Sequence, residues 1–153
     1  MKRILILLLT LMMVIASVAY AEPAVQEDVQ APVLGSQILD GTYPIEVKSS
    51  SSMFRIVDAQ LTVAEGVMTA VLTLSGTGYG KLYMGTGEEA LADTEESYIP
   101  FIEDEEGAYT YEVPVEALDV DTDVAAWSIR KETWYDRVLV FESALIPAEA
   151  ITK

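Results

Sequence analysis

Apolar and polar residues alternate with period two over residues 54–63, where Val57, Ala59, Leu61 and Val63 share one face and Asp58, Gln60 and Thr62 the other. After Ala64-Glu65-Gly66 the alternation resumes over residues 67–75, with Met68, Ala70, Leu72 and Leu74 set against Thr69, Thr73 and Ser75. Together the two runs predict a hairpin with one buried face. Further extended runs are predicted over 43–48 and 79–84, over 98–103 and 108–113 around an Asp104-to-Gly107 turn, and over 124–131 and 137–142 around Glu132-Thr133-Trp134-Tyr135-Asp136. Residues 88–97 offer a short helix or an acidic loop. Seven or eight short strands with scarcely any helical period predict an all-β fold, an antiparallel β-sandwich.

Three places do not fit a one-sided pattern. In the last run Tyr135, Arg137, Leu139 and Phe141 lie on one face and Trp134, Asp136, Val138 and Val140 on the other. Both faces are partly apolar, so this strand is either covered on both sides or lines an apolar pocket. Tyr79 and Tyr83 stand four apart in a strand, which puts them on one outer face with Lys81 between them. The third place is Ser49-Ser50-Ser51-Ser52-Met53-Phe54, ahead of the first hairpin strand. Its hydroxyls either cap a turn or present Ser50, Ser51 and Ser52 to a ligand's carboxylates, with Met53 and Phe54 as apolar contacts. If Val57 faces the core, Phe54 and Ile56 face outward; with Val138 and Val140 as core residues, Tyr135, Leu139 and Phe141 are the matching outer surplus. Two such patches facing each other would make a slot for a flat ligand.

Composition narrows the chemistry. Met1-Lys2-Arg3, an apolar run and the small pair Ala19 and Ala21 predict an export signal over residues 1–21, cleaved before Glu22. Its removal leaves seven basic against 25 acidic residues, a net charge of −18. Such a surface repels nucleic acid and anionic lipid. The absence of cysteine and histidine rules out disulfides, thiolate or imidazole metal sites and Ser-His or Cys-His nucleophile pairs. No carboxylate spacing points to a hydrolase, so the chain reads as a non-enzyme. Residues 22–39 read as a flexible acidic linker, 40–147 as the domain and 148–153 as a tail.

Two motifs resolve as turns. The stretch 118–124 places carboxylates at alternating positions but has Val124 and Arg130 where a calcium loop needs glycine and glutamate. The glycines of 76–87 lack the Gly-Lys-Ser/Thr ending of a phosphate loop.

Residues 40–85, from Asp40-Gly41-Thr42-Tyr43 through the serine run to Tyr83-Met84-Gly85, together with Trp134-Tyr135-Asp136-Arg137 and the strand after it, resemble the near-transporter (NEAT) family, the iron-transport-associated, haem-binding modules of Gram-positive bacterial surfaces. The resemblance spans about residues 40–146. It implies an immunoglobulin-like sandwich with a short 3₁₀ turn after the first strand, matched here by residues 49–53, and a C-terminal hairpin that together clamp haem. It further implies that Ser50, Ser51, Ser52, Met53, Phe54, Arg137 and Leu139 contact the ligand and that Tyr135 is the iron ligand, a hard anionic oxygen donor suited to ferric iron. Where the family's haem binders carry a second tyrosine, four residues after the ligand, this chain has Leu139. Attraction for a dianionic porphyrin would come from Lys48, Arg55 or Arg137. The implied partners are haem or a haem-bearing protein and other cell-surface proteins. The alternative class is an extracellular sandwich for protein–protein or cell-envelope interaction, with no small ligand.

Overall fold

The computed structural model describes residues 31–152; the predicted export signal, the cleavage point before Glu22 and the first part of the predicted linker lie outside the described residues. The strands are β1 (Val33–Leu34), β2 (Gly41–Pro44), β3 (Glu46–Ser49), β4 (Ile56–Ala64), β5 (Val67–Leu74), β6 (Tyr79–Met84), β7 (Ile99–Pro100), β8 (Ile102–Glu103), β9 (Tyr109–Val115), β10 (Ala117–Leu118), β11 (Asp121–Ser128) and β12 (Thr133–Glu142), with one short α-helix, α1 (Gly87–Ala92), and 3₁₀ turns at Gly35–Gln37, Glu95–Ser97 and Ala148–Ala150. They form an all-β, immunoglobulin-like antiparallel sandwich. One sheet runs β2-β4-β5-β9-β8 and the other β3-β12-β11-β6-β7, with a two-stranded ribbon of β1 and β10 beside them. No helix among the described residues is long and apolar enough to cross a membrane.

The first hairpin forms as its alternation dictates. Ala59, Leu61 and Val63 of β4 and Met68, Ala70, Leu72 and Leu74 of β5 are buried, facing Leu82, Val124, Ala126, Leu139 and Phe141 of the opposite sheet. Ala64 pairs with Val67 across a two-residue turn in which Glu65 (φ 51°) and Gly66 (φ 80°) are both left-handed, the geometry that matches strand twist and favours glycine.

There are more strands than predicted because two of the expected runs are each cut in two. Residues 43–48 divide at Ile45, which is buried and donates its N–H to the Ala59 carbonyl at 3.0 Å; β2 lies in one sheet and β3 in the other. Residues 98–103 divide at Phe101 in the same way, its ring stacked on Tyr109 with centroids 3.8 Å apart. A proline, Pro44 or Pro100, precedes each crossing and brings no N–H of its own to satisfy as the chain leaves its sheet.

The domain boundaries also move outward. Val33 and Leu34 pair with Leu118 and Ala117, Ile38 is buried, and Leu39 N–H donates to the Ala150 carbonyl at 2.8 Å. Residues 33–39 therefore belong to the sandwich and not to the linker. The predicted tail returns to meet them: Ala150 is buried and Ile151 bridges Ile38. In the last hairpin the turn is Ile129 to Glu132, with Glu132 left-handed at φ 49°, so Thr133 to Asp136 belong to β12 and not to the expected turn.

Candidate functional site

The serine run is a tied turn. Ser51 Oγ accepts from Met53 N–H at 3.2 Å, the Ser51 carbonyl accepts from Phe54 N–H at 3.2 Å, and Ser49 Oγ accepts from Ser51 N–H at 3.3 Å. The single i-to-i+3 bond is the short 3₁₀-type turn after the first strands. Ser50 grips the last strand on both sides: its N–H donates to the Val138 carbonyl and its Oγ accepts from Val138 N–H, each at 2.9 Å. Ser50 and Ser51 thus cap and fasten backbone, while the Ser52 side chain is exposed.

The outer slot expected from strand parity does not form. Val57 is an extra residue in β4, between Ile56 opposite Leu74 and Asp58 opposite Thr73. This bulge reverses the parity of everything before it. Phe54 is fully buried with its ring edge-on to Tyr79 at 5.2 Å, Ile56 packs on the core, and Val57 points outward, 54% exposed. On β12 the two faces are divided as expected but with the opposite assignment: Leu139 and Phe141 are fully buried core residues, and Val138 and Val140 are the outer pair. Leu139 and Phe54 therefore support the site from within the core and do not line it.

What forms instead is a cavity of about 500 Å³ at one end of the sandwich, between the two sheets. Tyr135 and Arg137 continue the inward face of β12 past the last core layer; Met53 and Arg55 approach from the serine turn; Leu74 and Tyr79 make the floor; Arg130 and Lys131 come from the β11–β12 turn. Gly76 and Gly78 lie at the rim, where an added Cβ would meet nothing within 4 Å. Of the residues that the sequence proposed, Met53, Arg55, Tyr135 and Arg137 line this cavity; Lys48, Ser50, Ser51, Ser52, Phe54 and Leu139 do not.

Arg137 is held from two sides. Its Nη1 donates to the Asp136 carbonyl at 3.0 Å, its Nη2 to the Tyr79 hydroxyl at 3.2 Å, and the guanidinium lies 5.2 Å from the Tyr135 ring centroid. Its Nε is the one buried side-chain nitrogen or oxygen among the described residues without a hydrogen-bond partner. Tyr79 is fixed in turn by Phe54 and by the Tyr111 hydroxyl, which donates to the Tyr79 carbonyl; burial pushes the Tyr111 phenol well above its ordinary pKa. Lys48, the third of the expected cations, is engaged elsewhere, 2.7 Å from Glu142, whose hydrogen bond raises the lysine pKa.

Tyr83 is not beside Tyr79. Gly80 is a second extra residue, in β6, between Tyr79 opposite Ser128 and Lys81 opposite Trp127, and it sends the two tyrosines to opposite sides of the sheet. On the outer side Lys81 Nζ sits 4.7, 4.8 and 5.6 Å from the ring centroids of Tyr98, Trp127 and Trp134. Tyr83 and Tyr98 hold down the α1 segment, donating to Asp93 at 2.8 Å and to the Ala90 carbonyl at 2.6 Å, and Ala90 is fully buried. The aspartate bond also raises the Tyr83 pKa. This aromatic group is a satellite core under α1. At 118–124, Asp119 accepts from Ser143 N–H at 2.9 Å, and among the described residues no group of three potential metal ligands occurs.

A search of family models gives no match to this chain, and a search of curated proteins gives none either.

Arg130, Lys131 and Tyr79 are cavity residues that the sequence reading did not nominate. A signal for the first two was present: adjacent basic residues are conspicuous in a chain with nine basic and 25 acidic residues. Tyr79 carried none, because the bulge at Gly80 hides its parity.

Proposed function

We propose that this chain is an exported or cell-envelope binding module of near-transporter type that holds haem or a related tetrapyrrole in the cavity between the serine turn and the last hairpin. The observation that carries the reading is the composition of that cavity: Tyr135 in one wall, apolar contacts from Met53, Leu74 and the tyrosine rings, and Arg55, Arg130, Lys131 and Arg137 around them. The donor set suits the group. A phenol supplies a hard anionic oxygen for ferric iron, apolar walls suit a flat macrocycle, and guanidinium groups suit its carboxylates. Arg137, with one N–H still unsatisfied, stands beside Tyr135 and adds positive charge where an anionic ligand would lie.

Titration with ferric haem tests the reading. The wild type is expected to give a saturable one-to-one Soret shift, Tyr135→Phe to lose the phenolate contribution to the spectrum, and Tyr83→Phe to behave as wild type. No spectral change in the wild type would refute it.

One observation favours the alternative of an interaction module with no small ligand. On the outer face, Trp127, Trp134 and the 73%-exposed Leu91 border a second hollow of about 390 Å³ rimmed by Glu88, Glu132 and Asp136. Under that reading haem leaves the spectrum unchanged.

A further inference from the structure

The described residues contain six basic side chains, Lys48, Arg55, Lys81, Arg130, Lys131 and Arg137. Four of the six line the one cavity, and among the described residues no aspartate or glutamate lines it with them and none of the four has a carboxylate within 4.0 Å. In a chain of net charge −16 this is unusual chemistry. Isolated cations on an acidic surface ordinarily sit beside carboxylates, as Lys48 does, and like charges gathered without counter-charge repel one another. Folding alone gives no reason for the grouping: Arg55, Arg130 and Lys131 are exposed and contribute to no core contact.

The serine turn is not placed to take a ligand's acid groups, because none of Ser50, Ser51 or Ser52 lines the cavity. We infer that the cavity recognises its ligand by its acid groups, which Arg55, Arg130 and Lys131 clamp at the mouth while Arg137 faces them from the inner wall, so that the site selects a flat apolar di-acid and retains it with or without a metal at its centre. This inference rests on the tetrapyrrole reading and deepens it. Guanidinium groups pair with carboxylates through two parallel N–H donors, and such charge-assisted bonds are the stronger class. Their exposure at the mouth makes them sensitive to salt.

The test is a tryptophan-fluorescence titration of the purified protein with four probes, ferric haem, its dimethyl ester, metal-free protoporphyrin and its dimethyl ester, in one dilute detergent. Both di-acids are expected to bind, and both diesters to bind at least about thirtyfold more weakly, since each charge-assisted pair lost is worth roughly tenfold. The double variant Arg130→Gln/Lys131→Gln, on an exposed turn, is expected to weaken the di-acids about tenfold, to leave diester affinity unchanged and to keep the wild-type melting curve. A diester that binds within threefold of its di-acid would overturn the clamp while leaving the haem reading intact, and so would failure of the metal-free di-acid where haem binds. If no probe binds, the tetrapyrrole reading itself falls, and the clamp with it.

Discussion

The two ends of the sandwich are built from the same strands and carry opposite charge. At one end, where β6 begins with Tyr79 and β11 finishes with Ser128, the cavity is lined by four cations and no carboxylate. At the other, where β6 finishes with Met84 and β11 begins with Asp121, a hollow of about 330 Å³ is lined by Glu116, Asp121 and Asp123 and no cation. The acidic end is closed by short connections: the two-residue turn at Glu65-Gly66, and Asp119, left-handed at φ 62°, which accepts from the Ser143 N–H. The cationic end has an open glycine rim and an orphaned Arg137 Nε. Carboxylates facing water are the default of so acidic a chain, whereas gathering most of the described cations at one mouth is not, and it is this difference that the proposed clamp uses.

The largest separation between structural and ligand-facing roles lies within the serine turn. Phe54→Ala removes a fully buried ring and is expected to cost about 3–5 kcal/mol of stability. Its neighbour Met53, 77% exposed, is expected to cost less than about 0.5 kcal/mol when replaced by alanine, while weakening any ligand in the cavity. Denaturant melts of the two variants check the pair; similar losses would show that the turn is not divided in this way.

Gly66→Val probes the acidic end. With φ at 80°, a β-branched residue there is strained by about 1–2 kcal/mol even though its Cβ would meet Ser36 only at ordinary contact distance, 3.7 Å. Thermal melting should fall while ligand affinity stays unchanged, because the turn lies at the far end.

Tyr111→Phe is smaller at neutral pH and has a distinctive pH dependence. Loss of its hydrogen bond to the Tyr79 carbonyl is expected to cost about 1 kcal/mol. Because the folded-state pKa of Tyr111 is raised, the unfolded chain loses its phenolic proton first; stability is full below the unfolded tyrosine pKa of about 10 and falls as pH rises above it. The Phe variant should lose that part of the alkaline decline, as melts from pH 8 to 11 would reveal.

How much of this was legible depended on single residues. The β4–β5 hairpin could be read because its alternation is unbroken on both strands and its turn carries a glycine. The parity of Phe54 could not, because Phe54, Ile56 and Val57 are all apolar and give no sign of which is the extra residue; the same holds at Gly80, where one inserted residue separates Tyr79 from Tyr83. Sheet crossings at Ile45 and Phe101 keep the composition of strands and so look continuous. The cavity depends on these bulges, which explains why the sequence proposed Tyr135, Arg137 and Met53 beside core residues such as Leu139. Residues 33–39 looked like a linker because a two-residue strand and one buried isoleucine leave no period to detect.

The smallest expected effect comes from neutralising the acidic end. In Asp121→Asn/Asp123→Asn the two changed residues lie roughly 23 and 17 Å from Ser128 at the cationic end, taking about 3.3 Å per residue along β11, which is beyond the screening length of about 8 Å at physiological salt. Ligand affinity should change less than about twofold; a larger change would mean that the two ends are electrostatically coupled.

The most direct test of the account is to map, by backbone amide NMR, which residues respond to metal-free protoporphyrin. The account predicts that shifts and broadening gather at Met53 to Arg55, Ser75 to Tyr79 and Ser128 to Arg137, with the amides of Glu116 and Asp121 to Asp123 unmoved. Perturbations centred on the acidic end or on the outer aromatic face around Trp127 and Leu91, or no perturbation anywhere, would contradict it.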